Sequence, residues 1–168
     1  MQNSLSKLIE RAKKATGIGT GIDENDISKV ALTLNITLPQ EFVQINALFR
    51  YDLLYDGDLL DFTADECDWG GVIKNTVKLR EKYKETLNMC VDVSKVLLLS
   101  LEEFGGILML INDHPSKVAK VVSCSLYDIH NYLVNGSFAD PHDEWPSFTD
   151  FFEYLVEQEE KNLEEDKG

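Results

Sequence analysis

Three apolar segments, Val96–Leu101, Ile107–Asn112 and Lys117–Ser123, follow one another with only short turns between them. That spacing constrains the chain most. Strands joined by turns this short cannot cross over to pair in parallel, so they must form an antiparallel meander. Glu103-Phe104-Gly105-Gly106 and Asp113-His114-Pro115-Ser116 supply the turn residues. The longest apolar stretches, around Val96–Leu99 and Ile107–Ile111, are of strand length.

Helical spacing occupies the sequence on either side. Leu5, Leu8, Ile9 and Ala12 share one face of a helix over residues 4–15, which Gly17-Ile18-Gly19-Thr20-Gly21 ends. Asp23 is placed to cap a second helix running to about Leu34, with Ile27, Val30, Ala31 and Leu34 as its stripe. Leu38-Pro39 opens a third, proline taking the first helical position, with Phe42, Ile45, Leu48 and Phe49 on one side. Leu53-Leu54-Tyr55 and Leu59-Leu60 flank Asp56-Gly57, the signature of a hairpin. A polar loop over 64–71 leads to a helix over 72–87. Ile129–Val134 reads as a short ordered piece and 135–146 as a loop. Ser147 caps a last helix with Phe148, Phe151, Phe152, Leu155 and Val156 inward. The expectation is one α+β domain, a mostly antiparallel sheet packed by N- and C-terminal helices, with residues 1–21 as an extension and 158–168 as a frayed acidic tail.

No apolar run is long enough to cross a bilayer, and the first residues carry no secretory signal, so a soluble cytoplasmic protein is expected. Cys67, Cys90 and Cys124 are widely spaced and odd in number, as for reduced thiols with one or more in the core. Formal net charge is −14, and the imbalance lies almost wholly beyond residue 50. Such a field repels nucleic acid and anionic membrane surfaces and attracts basic proteins.

Motifs of chemistry are sparse. The glycines at 17–21 follow a helix instead of a strand, so a dinucleotide loop is not expected. His114, His130 and His142 lack helical zinc spacing, and neither a metal nor a cofactor is expected. Asp140, His142, Asp143 and Glu144 cluster in one loop and supply the donors that a cation in a small enzyme would need. Between Tyr51 and Gly71 lie seven acidic residues without a lysine or arginine, interleaved with Tyr51, Tyr55, Phe62 and Trp69. A carboxylate pair in that run would suit a hydrolase only if one were shielded enough to stay protonated. As a surface, the run joins steering charge to aromatic area, the mixture of an interface to a basic partner. Its contact residues are expected to be Asp56, Asp58, Asp61, Asp65, Glu66, Asp68 and Trp69, with Trp69 as anchor.

Several motifs, in their order, resemble the SUKH superfamily, which includes the yeast Smi/Knr cell-wall assembly regulators and many bacterial immunity proteins. They are Leu38-Pro39 with Phe42, Asp56-Gly57 where the family usually has asparagine-glycine, Gly106 before Ile107, and Ser147-Phe148-Thr149-Asp150-Phe151-Phe152. The polar residue that often follows the family's central glycine is absent. The resemblance spans roughly residues 22–157. It implies an α+β domain without catalytic residues that neutralises a toxin, often a nuclease, whose phosphate-gripping cleft is basic. The alternatives are an intracellular scaffold or regulator with several endogenous partners, and a small carboxylate- or metal-dependent enzyme. The toxin's identity and the oligomeric state stay open.

Overall fold

A computed structural model describes residues 2–54, 59–86, 94–102, 105–111, 114–125, 128, 131, 135 and 143–168. Helices α1 (Gln2–Thr16), α2 (Glu24–Leu34) and α3 (Gln40–Leu48) come first, then a 3-10 turn at Tyr51–Leu53 and helix α4 (Val72–Thr86). Strands β1 (Val96–Glu102), β2 (Gly105–Leu110), β3 (Lys120–Ser125) and β4 (Glu144–Trp145) precede the last helix, α5 (Phe148–Lys167). The strands form one antiparallel sheet in the order β1-β2-β3-β4. The α+β class and the meander are as expected.

Burial explains the continuous apolar runs. Every residue from Val96 to Ser100 is buried, as are Gly106 through Met109. Helix α4 packs on β1, while α5 packs on β3, β4, α1 and α3. The core holds a tight aromatic group in which the Phe42 ring lies 4.6 Å from Phe148, 5.3 Å from Phe62 and 5.5 Å from Tyr51. Tilted and edge-on arrangements of this kind suit the ring quadrupoles. Cys124 lies in this core, where burial pushes its thiol up to about 12.

The helix ends follow the sequence signals with one shift. Asp23 caps α2 by accepting a bond from the Asn25 N–H at 2.8 Å. Asn35 closes that helix at φ 52°, and the Ile36 N–H reaches back to the Ala31 carbonyl at 3.0 Å. This is the left-handed ending that asparagine tolerates. Pro39, expected inside α3, instead sits just outside it as the cap residue. The exposed N–H of Gln40 finds the Pro115 carbonyl at 2.8 Å. That bond ties the turn at 114–117 to α3, and β3 begins at Lys120 instead of at Lys117.

Other expectations need correcting. Leu53-Leu54 is not one arm of a hairpin: Tyr51–Leu53 forms a 3-10 turn, and Leu59 bridges to Ser100 of β1. Gly105-Gly106 is strand, with Gly106 pressed so close to β1 that a Cβ would lie 2.8 Å from the Ser100 oxygen. β4 was expected as loop. The tail does not fray at 158, because α5 continues to Lys167 with α1 alongside. Arg11 grips Glu160 with two bonds of 2.9 and 2.7 Å. Residues 1–21 are more than an appendage, since Leu8, Ile9 and Ala12 join the core. Gly21 passes so near α3 that a Cβ would sit 2.1 Å from the Ala47 oxygen. The Asp56-Gly57 turn, Cys90 and, apart from Asn131, the piece at Ile129–Val134 lie outside the described residues.

Candidate functional site

The acidic segment is built from its two ends. At the first, Arg50 donates two bonds to Asp52, at 3.0 and 2.7 Å, and a third to Asp61 at 3.1 Å. Asp52 also accepts from the Phe62 N–H at 2.9 Å, and its side chain is only 2% exposed. Asp52 therefore serves the interior and takes no part in a surface field. The same neighbours hold the Arg50 guanidinium above its ordinary value, first through the Asp52 bonds. Partial burial pushes the Asp61 carboxyl up. Bonds from the Thr63 N–H and hydroxyl, with the Arg50 charge, outweigh this and leave it below the usual range.

The chain then closes on itself. The Asp61 N–H donates to Gly70 at 2.9 Å and the Val72 N–H donates to Asp61 at 3.1 Å, with Asp61 and Gly71 bridged in parallel. Inside the loop, the Asp68 N–H donates to Asp65 and the Gly71 N–H to Asp68. The Asp68 carboxylate takes the Gly70 N–H at 2.8 Å. Buried Asn75 of α4 secures the far end by donating to the carbonyls of Trp69 and Gly71, both at 2.8 Å. A loop whose ends meet and whose backbone is tied by several internal hydrogen bonds keeps a defined shape. Its root is fixed to the sheet at a bulge in β1, where the Leu60 N–H donates to Leu99 at 2.8 Å.

This closure brings Asp61, Asp65, Glu66, Asp68 and Trp69 together on one exposed loop. Asp56 and Asp58 lie outside the described residues. Trp69 is 68% exposed, whereas Phe62 and Tyr51 are core. The charge around the loop is less one-sided than the sequence suggests. Lys29 of α2 stands 3.3 Å from Asp65, and the ammonium groups of Lys74 and Lys78 lie 3.7 and 4.2 Å from the Trp69 ring centre. Lys74 also donates to the Cys67 carbonyl at 3.1 Å. Cation–π contacts at an exposed ring are worth about 0.5–1 kcal/mol each, enough to bias the indole toward α4.

Sequence reasoning missed Arg50, Asn75 and the three lysines. Arg50 adjoined the acidic run by one position. The i,i+4 spacing of Lys74 and Lys78, with Trp69 five residues before, was the legible signal for a stacked ring. Lys29 gave no local signal at all.

The alternative metal loop is only partly described. The Asp143 carbonyl accepts the Ser123 N–H at 2.8 Å, and Glu144 belongs to β4, 3.6 Å from Lys120. Among the described residues, no three His, Cys, Asp or Glu side chains gather as they would around a metal ion. Likewise, no described helix is long and apolar enough to cross a membrane. No family model matches the chain, and no curated protein matches it either.

Proposed function

We propose that this protein is a non-catalytic binding module that neutralises a basic protein partner, of the kind that SUKH-type immunity proteins inhibit. The observation that carries this reading is the closed loop at 61–71. It offers Asp65, Glu66 and Asp68 to solvent beside an exposed tryptophan, on a backbone that is already ordered. Preorganisation spares the entropy of fixing a loop upon binding. Exposed carboxylates accelerate encounter with a cationic surface, and a tryptophan supplies the buried area that slows departure. The overall charge of −14 acts in the same direction at longer range. A toxin domain with a phosphate-binding cleft is the fitting partner class, and the compartment would be the cytoplasm, where such a toxin acts.

The test is co-purification with the product of the neighbouring gene, followed by association and dissociation rates on a sensor surface. Reversing Asp65, Glu66 and Asp68 to lysine should slow association by about tenfold and flatten its salt dependence. Trp69→Ala should mainly speed dissociation, by about thirtyfold for a hot spot near 2 kcal/mol. Unchanged rates in both variants would remove the loop from the interface.

A further inference from the structure

The edge formed by α1 and α5 carries two stripes of opposite charge. On α1, Lys7, Arg11 and Lys14 recur at steps of four and three. On α5, Glu153, Glu157, Glu160 and Glu164 do the same. Within one molecule, Arg11 at the middle of the basic stripe takes Glu160 at 2.7 Å and Glu153 at 3.9 Å. Lys7 and Lys14 on either side of it are exposed, as are Glu157 and Glu164. A shallow groove of about 570 Å³ runs along this side of α1, lined by Ser6, Lys7, Glu10, Arg11 and Lys14. Its walls are mostly the methylene stems of the charged side chains, an apolar floor beneath ionic tips.

We infer that two copies of this chain associate through their α1–α5 edges, Lys7 and Lys14 of each meeting Glu157 and Glu164 of the other. Spacing and charge both fit. Each pair is separated by seven residues, about 10.5 Å along a helix, so two lysines and two glutamates can meet in register. A two-fold axis places the basic stripe of each copy on the acidic stripe of its mate, which satisfies the self-complementarity of a closed dimer. The opposing factor is a charge of −14 on each copy. At about 0.15 M salt the Debye length is about 8 Å, so that repulsion is largely screened while pairs in contact are not. Exposed pairs contribute little singly, so the association is weak and sensitive to salt.

Sedimentation velocity of the full chain, up to about 200 µM at about 0.15 M salt, tests this. A concentration-dependent dimer is expected, and about 1 M salt should reduce it. Lys7→Glu with Lys14→Glu, and separately Glu157→Lys with Glu164→Lys, should each raise the dimer dissociation constant about tenfold or more. An equimolar mixture of the two variants should then form a heterodimer, since each repairs the other's sign. A fold defect would not be repaired by mixing. A parent chain that stays monomeric, or a mixture no more associated than its components, overturns the inference. If either variant fails to fold, the parent decides alone: a dimer undiminished at about 1 M salt refutes the charged edge as its cause.

Discussion

Glu41 gives the sharpest test of how this fold is held. It lies in the first turn of α3, yet its carboxylate reaches two segments distant in sequence, residue 119 just before β3 and the start of α5. One oxygen accepts the Ala119 N–H at 3.2 Å and the Phe148 N–H at 3.0 Å. The other accepts the Thr149 N–H at 3.2 Å and its hydroxyl at 2.8 Å. Two of these donors are the first N–H groups of α5, which no intrahelical partner can satisfy, and a negative charge there also suits the helix dipole. Hydrogen bonds to an ionised group are worth about 1.5–3 kcal/mol each, less where water can replace them. Glu41→Ala removes all four acceptor contacts and should cost about 4 kcal/mol. Glu41→Gln keeps one oxygen but turns an amide N–H₂ toward the Thr149 N–H, and should cost about 2 kcal/mol. Urea unfolding followed by far-ultraviolet circular dichroism at neutral pH measures both. In heat the alanine variant should melt about 10 °C earlier, given about 2–4 °C per kcal/mol for a chain of this size. A loss below about 1 kcal/mol for the alanine variant would show that water serves those donors equally well, and the reasoning would fail.

Gly21→Ala should destabilise by about 3 kcal/mol in the same assay, because the new Cβ would collide with the Ala47 carbonyl at 2.1 Å. A neutral result would mean that the crossing of residues 20–22 over α3 relaxes freely. Tyr51→Phe should be neutral or stabilising by up to about 1 kcal/mol, since the buried hydroxyl has no hydrogen-bond partner among the described residues and burial raises its pKa well above the ordinary value. A clear loss of stability on urea unfolding would contradict this. Asp61 and Glu160 both have folded-state pKa values below their ordinary values of 3.8 and 4.5. Their contribution is therefore present above those ordinary values and lost as pH falls through the lower folded ones. Unfolding midpoints should be level from about pH 7 to 5 and decline below about pH 4, and Arg11→Met should shrink that decline. An unaltered acid limb in the variant would assign the loss to other carboxylates.

The elements legible in the sequence were those whose signals are local. Asp23 and Ser147 announced their helices because a capping side chain bonds to a backbone N–H only two or three residues away. The meander was readable because adjacent apolar runs joined by short turns admit one pairing. What escaped was set by distant partners. Tyr51–Leu53 has the composition of a strand, but the Tyr51 N–H is held by the buried Asn46 side chain at 3.0 Å and the segment coils. β4 is a two-residue strand, and pairing with Val121 and Val122 defines it more than its own residues do. The exposed members of the acidic loop could be read from composition. The inward turn of Asp52, and Lys29 reaching across from α2 to Asp65, depended on which elements lie beside the loop.

The closed loop has a consequence for how readily its surface can be remade. Its shape is fixed by main-chain bonds at Asp61, Gly70, Gly71 and Val72 and by an asparagine that belongs to α4. The side chains of Asp65, Glu66 and Trp69 supply none of those backbone bonds. Each can be exchanged for another residue with the strand, the bulge and the helix left as they are. Under the binding role proposed above, the scaffold separates the task of staying folded from the task of choosing what to touch, and new preferences can be written at those three positions at small thermodynamic risk.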